Sequence, residues 1–525
     1  MSDRKINRAQ NYILPSPIGG LNRRDSFDAM AADDAIVMDN YYPSESSVCL
    51  RNGYRSYALG GENSAVETLI NFCNPENSRL FAATEGKIVD VTSGGDSVVV
   101  QNLHGNVWSY VQFRERLLLA NGEDAPMSYY KNGLGDWVWE QTSLSGDDLV
   151  PSRLCKVAVS KQRVFYVEKN SLSYWYSGGA GEVQGTLNKV DLSFFATRGG
   201  YLKAIASWTL DGGQGLDDLT VFITSEGEVF VYSGNNPSDA DDWKLKGRYF
   251  ISRPVGDNCV VQYQGDIVLI CEEGYVPLSS VLKLADSGAS SVAYSDKIRG
   301  LVLSRIKNGK NLAGWQGIIY PRGGYAMFNV PCGRQFEQHV INMSSGAWCR
   351  FVGINALCWC LFEGRLFFGS ESGVYLFDEG HSDDGMAILG CVHQAYGDLG
   401  VPNLKKILML NPRTKSTSPF LLNIYTNTDF NDEEKEYVEN VGGGSGSRYR
   451  LPPRSITPLV TPSFRTAAAA RSSAYPLAMP PRSSAMPGVV KRTARRESSH
   501  SSLSMPTRVR AAAISSGTGS CCRLR

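Results

Sequence analysis

Histidine is the scarcest side chain that could do chemistry in this chain: five among 525 residues, at positions 104, 339, 381, 393 and 500. None stands at a metal-ligand spacing and no His-Glu-x-x-His stretch occurs, which removes the familiar zinc-hydrolase pattern. A phosphate-cradling loop is missing as well. Gly212-Gly-Gln-Gly215 is glycine-rich, but no Lys-Ser/Thr follows it and it reads as a plain loop. No apolar run approaches the ~20 residues of a membrane helix; ALCWCLF (356–362) suits a buried strand at most. The opening MSDRKINRAQ is polar and no apolar core follows, so no secretion signal is expected. Twelve cysteines are scattered without a framework and are expected to be reduced thiols. In Cys358-Trp-Cys360, strand alternation puts both thiols on one face of a core strand, and no second pair completes a zinc site.

Helical periodicity is also scarce. What recurs is a short strand, a glycine-containing turn and a second strand rich in β-branched and aromatic residues. RLFAATEGKIVDV (79–91), RVFYVEKNSLSYWYS (163–177), LTVFITSEGEVFVYSG (219–234) and RLFFGSESGVYLFDEG (365–380) are examples. A lone hairpin is marginal in water, so these must stack their apolar faces on one another. Their irregular recurrence, without an interdomain linker, predicts an all-β fold: a β-propeller over residues 61–385 with six or seven blades. Residues 386–440 read as a small β extension beside it.

The formal net charge of +1 conceals a division. Residues 441–525 carry +13, nearly all arginine, whereas residues 1–440 carry −12. The basic segment has no Asp or Trp and holds nine of the 23 prolines. It cannot bury a core and is expected to be a disordered tail. Enrichment in Arg, Ser, Pro and Ala with loss of Lys and Asp is what out-of-frame translation of GC-rich coding sequence gives, and that is the reading favoured here. A basic arm for nucleic acid or an acidic partner is the alternative.

Residues 15–54, PSPIGGLNRRDSFDAMAADDAIVMDNYYPSESSVCLRNGY, fit neither the hairpin pattern nor the tail. Prolines at 15 and 17 fix an extended start, and Gly19-Gly20 permits a reversal. Asp33-Asp34 reads as the cap of a short helical turn carrying Ile36 and Val37. Asn40-Tyr-Tyr-Pro43 halts that turn, and Arg51-Asn-Gly-Tyr54 turns into the first strand. Residues 1–60 are therefore expected to form a strap that grips a neighbouring surface.

The order Gly-Gly-Leu-Asn (19–22), Asp-Asn-Tyr-Tyr-Pro (39–43) and Leu-Arg-Asn-Gly-Tyr (50–54) resembles the N-terminal signature of tail hub or nozzle proteins of short-tailed bacteriophages and prophages. GYVPLS (274–279) with YSDKI (294–298), residues 345–380, and AYGDLGVPNLKK (395–406) are similar to later segments of that family. The likeness spans about 15–410 and is lost near 443, where the family continues β-rich. It implies a virion structural protein that helps retain packaged DNA. Its copies would form a ring, expected as a hexamer, below the portal and adaptor and above distal tail or fibre proteins. The genome would pass non-specifically through the middle. The chain would be made in the host cytoplasm and end in the virion tail. No catalytic activity, cofactor or metal is implied. The residues assigned to assembly are Gly19, Gly20, Leu21, Asn22, Asp39, Asn40, Tyr41, Pro43, Arg51 and Gly53.

An acidic body suits that role, because phosphates meeting like charge slide without sticking. Asp217-Asp218, Ser238–Asp242 and Asp383-Asp384 are the candidate lumen loops. Two alternatives belong to other classes: a carbohydrate-binding propeller that recognises the host surface, and a glycosidase. The latter needs two carboxylates ~5–10 Å apart in the central funnel. Ser344-Ser-Gly-Ala-Trp348 has the Gly and Trp of a Ser-x-Asp-x-Gly-x-x-Trp box but lacks the Asp, so Trp348 is expected to pack between blades.

Overall fold

The computed structural model describes residues 11–60, 65–211, 216–263, 265–281 and 293–400, and beyond these a set of short strands between 405 and 468 and at 523–524. Among these residues the chain forms seven blades, five of them separate sheets and the last two, blades 6 and 7, joined into one larger sheet. Blade 1 runs Thr68–Phe72, Arg79–Thr84, Lys87–Asp90 and Ser97–Val100. Blade 2 runs Ser109–Phe113, Arg116–Ala120, Met127–Lys131 and Trp137–Gln141. Blade 3 is Leu154–Ser160, Arg163–Glu168, Ser173–Ser177 and Gly185–Asp191, with Leu144–Ser145 added at its edge. Blade 4 is Leu202–Asp211, Leu216–Thr224, Glu228–Ser233 and Lys244–Phe250. Blade 5 has three strands, Val260–Tyr263, Asp266–Cys271 and Gly274–Pro277. Blade 6 is Gln316–Tyr320, Tyr325–Cys332, Gln335–Asn342 and Trp348–Val352.

Blade 7 closes the circle. Cys358–Phe362, Arg365–Ser370 and Gly373–Phe377 come from late in the chain, and Tyr54–Ala58 supplies the outermost strand, antiparallel to Gly373–Phe377. The innermost strand of blade 7 lies beside that of blade 1. The expected strap thus gives one strand to the propeller, and Arg51–Tyr54 leads into the last blade, not the first.

Alternation explains why the strands read as continuous apolar runs. In blade 2, Leu117 and Leu119 face blade 1, while Leu118 and Ala120 face blade 3. In blade 3, Val164 and Tyr166 turn back to blade 2, and Phe165 and Val167 turn on to blade 4. A strand covered on both sides needs no polar face. Cys358 and Cys360 both enter the core between blades 7 and 1, with Trp359 pointing the other way, as the alternation predicted. Trp348 is buried in the core that blade 6 shares with its neighbours. A helix that the sequence pattern did not reveal, Arg299–Gly309, follows blade 5 and buries Val302 and Ile306.

Residues 34–39 form a strand, Asp34–Asp39, instead of the expected helical turn. The Asp34 carboxylate bonds Asn22 and Lys297, so it caps no helix, and the β-branched pair Ile36-Val37 suits extended backbone. Gly20–Leu21 and Asp34–Asp39 continue blade 6 outward, each bridging to its outer strand Trp348–Val352. The sheet then runs on through Met386–Gln394, Val460–Ala468, Phe420–Thr428 and Lys435–Val441. The β extension is therefore present and extends past residue 440. Of the expected disordered tail, Val460–Ala468 is this strand, and most of the remainder lies outside the described residues.

Candidate assembly site at the N-terminal seam

The ten residues assigned to assembly come together along one seam, but the seam is internal. The first forty described residues lie against blade 6 and the extension of their own chain. This corrects the expectation of a strap reaching to a neighbour. The physical reason is partner supply: Asn22, Asp34, Asp39, Asn40 and Arg51 all find their complements within the same chain.

The Gly19 amide donates to the Asp33 carbonyl, and its own carbonyl accepts from Lys297 Nζ at 2.7 Å. Gly20 has a φ of 81°, and a Cβ there would lie 2.5 Å from the Trp348 carbonyl oxygen. Only glycine allows both the left-handed backbone and that approach. Leu21 is buried in the core. Asn22 is fully buried; its Nδ2 donates to Asp34 Oδ2 at 2.7 Å, and its Oδ1 accepts the amides of Arg24 and Asp25. Lys297 Nζ completes this knot with Asp34 Oδ1 at 2.6 Å.

The second knot centres on Arg350. Its guanidinium grips Asp39 with two bonds, at 2.7 and 2.8 Å, and reaches Glu337 at 3.2 Å. Glu337 is also held bidentately by Arg305, at 2.7 and 3.0 Å. Burial alone would raise the Glu337 carboxyl, but hydrogen bonds from His339 and Arg305 and the Arg350 charge bring it down to about 2. His339 is wholly buried, and desolvation outweighs its carboxylate neighbour, so its pKa falls below 6.5 and it is neutral near pH 7. An ionised carboxylate only accepts, so Nε2 carries the proton toward Glu337 (3.0 Å) and Nδ1 accepts from the Tyr275 hydroxyl (2.8 Å).

The third knot is Arg51. Nε donates to Asn40 Oδ1, two N–H groups take both oxygens of Asp383 at 2.8 and 2.6 Å, and two more donate to the carbonyls of Asn52 and Val352. All five donors of the fork are used. Asn40, at φ 58°, also donates Nδ2 to the Leu389 carbonyl and accepts the Val352 amide. Tyr41 is fully buried, and the Pro43 carbonyl accepts from Asn342. Gly53 sits so close to Ser382 that a Cβ would collide with its backbone.

The proposed lumen loops fare unevenly. Asp383 is spent on Arg51, Asp384 accepts the Ser56 amide, and Asp242 caps the amides of Asn235 and Asn236. Asp239 and Asp241 remain exposed, and Asp218 accepts from Thr209. The side chain of Asp217 lies outside the described residues. Among the described residues no group of three or more His, Cys, Asp or Glu could hold a metal ion. A cavity of about 130 Å³ lies at the inner strands of blades 2 to 5, where Asp257 is the one carboxylate in its lining, near Lys156 and Asn258.

No family model matches the chain, and no curated protein sequence matches it. Solved structures do. One is a protein described as a candidate 6-phosphogluconolactonase from Bacteroides fragilis, 11% identical, with a TM-score of 0.34. The match covers 67% of this chain and 92% of that one.

Lys297, Arg305, Glu337, Arg350 and Asp383 were not singled out by the sequence as partners of the stretch. A weak signal existed for two: Lys297 lies in YSDKI and Arg350 follows the Gly-x-Trp strand, both within segments that carry the family likeness.

Proposed function

We propose that this chain is a structural protein of a bacteriophage virion: a ring-forming hub or nozzle component of a short tail, below the portal and adaptor, through which DNA passes. One observation carries the reading. The four separated stretches that resemble the tail family converge on a single buried junction. Gly19–Asn22 and Asp39–Tyr54 meet Lys297 from the mid-chain segment, and Trp348 and Arg350 from the Gly-x-Trp segment. The Ala395 amide closes the set on the Asp34 carbonyl. Chance matches along some 390 residues have no reason to share contacts, whereas the signature of one three-dimensional unit does. The ten residues then act in assembly indirectly, by fixing the extension sheet to blade 6 so that a rigid body is presented to neighbours.

The glycosidase alternative asks for two facing carboxylates, and among the described residues the cavity at the inner strands of blades 2 to 5 is lined by one, Asp257. The carbohydrate-binding alternative asks for exposed tryptophan or tyrosine over a shallow pocket. Among the described residues no tryptophan is exposed, and the most exposed aromatic side chain is Phe194.

The test is made on particles from a phage or prophage that encodes the chain. Peptide mass spectrometry should find it in stoichiometric amounts, and a gene deletion should give heads whose packaged DNA becomes nuclease-sensitive. Infectious, DNA-retaining particles that lack the chain overturn the proposal.

A further inference from the structure

The outer corner of blades 3 and 4 carries a patch unlike the rest of the acidic body. After Gly185–Asp191 the chain makes a one-turn 3-10 helix, Leu192–Phe194, whose start is capped by Asp191 accepting the Ser193 amide. Phe194 is 87% exposed at its end, followed by Phe195 at 49%. Phe250, at the end of the outer strand of blade 4, is 45% exposed. Two guanidiniums stack on it: Arg198 at 4.6 Å and Arg248 at 5.4 Å from the ring centroid. Arg248 also donates to the Phe195 carbonyl at 2.8 Å, and Arg198 to the carbonyls of Glu226 and Ile251. Tyr201 adjoins through paired bonds with Ser225.

The patch is held in shape from beneath. The fully buried carboxylate of Glu228 accepts the amides of Thr197 and Arg198 and the Thr197 hydroxyl. Ordering is therefore already complete before any partner arrives, which lowers the entropic cost of docking. Aromatic side chains with arginine are the composition of interface hot spots, and arginine over an aromatic face is worth more once water is excluded.

We infer that this patch docks onto an acidic surface of a second copy of the chain. Charge chooses the occupant. The segment 441–525 carries +13 and is repelled by Arg198 and Arg248, whereas residues 1–440 carry −12. Charge also sets the symmetry. A two-fold contact would lay these arginines on their own copies, so the contact is between unlike surfaces, and such head-to-tail contacts build rings or filaments. The inference rests on the ring-component reading and adds which surface makes the ring. Apolar content argues for protein: the phenylalanines form the exposed summit, and one terminal nitrogen of each arginine that frames it is held by the main chain.

The experiment compares the full chain with Phe194→Glu/Arg248→Glu by mass photometry and sedimentation across a concentration series. The wild type should self-associate, more weakly in ~0.5 M than ~0.1 M salt because the contact is charged. The double variant should lose at least about tenfold in association constant with an unchanged circular dichroism spectrum. Added to wild type, it should cap assemblies and lower their mean mass, since it keeps its acidic side. A second variant, Phe194→Ser, should show the intermediate loss, which guards against misfolding as the cause. Equal assembly by wild type and variants overturns the inference, as does a wild type that stays monomeric. So does binding of a single-stranded oligonucleotide that the double variant loses while assembly is kept. None of these results bears on whether particles contain the chain, so the two proposals fail separately.

Discussion

Replacing Arg51 by alanine is the sharpest perturbation of the seam. The Arg51 side chain is 2% exposed and that of Asp383 is 11%. Removing the guanidinium strands a buried carboxylate and takes one donor from Asn40 Oδ1, which keeps the Val352 amide, and from two carbonyls. Breaking a buried pair from one side costs ~3–5 kcal/mol, because the remaining charge stays desolvated. Losing both partners is different: Arg51→Met with Asp383→Leu removes the uncompensated charge and should recover more than half of the penalty. Urea unfolding followed by tryptophan fluorescence reads the global effect. Hydrogen exchange should show lost protection in Asp34–Asp39 and Met386–Gln394 before the blades respond, since those strands lean on the seam. An Arg51→Ala cost below ~1 kcal/mol, the range of exposed pairs, would refute the argument, as would a double variant as unstable as the sum of the singles.

Gly20→Ala should cost ~1–3 kcal/mol from backbone strain alone, with Gly20→Val insoluble, while Gly60→Ala, with open space around its Cβ, leaves the melting temperature unchanged; calorimetry of the three decides. Acid should destabilise the fold in two stages. A folded pKa held below the unfolded one means that the unfolded chain binds more protons, so stability falls as pH drops. For His339 the loss begins near 6.5 and proceeds downward; for Glu337 it runs from 4.5 toward about 2. His339→Gln should flatten the first stage and leave the second, measured as urea midpoint against pH.

The blades were legible in the sequence because their signal is local. Apolar runs such as Arg116–Ala120 and Arg163–Glu168, punctuated by turns, specify hairpins whose two faces are both covered, and Cys358 and Cys360 fall on the predicted side. What was not legible is where the front of the chain goes. Asp39, Arg51 and Asp383 read as surface charges because charges are exposed by default. Their burial depends on partners 311 and 332 positions away, which no local pattern announces. Asp383 looked like a lumen acid for the same reason. Tyr54–Ala58 looked like a first strand because its register with Gly373–Phe377 is set by ring closure, not by its neighbours.

That closing pair has a consequence for synthesis. Tyr54–Ala58 leaves the ribosome early and cannot find Gly373–Phe377 until more than three hundred further residues are translated, a wait of ~15–60 s at ordinary elongation rates. Until then the outer strand of blade 7 has no partner and its backbone edge stays open, so nascent chains depend on not meeting one another. A product terminated before residue 373 lacks the partner of Tyr54–Ala58 and can never shut its disc.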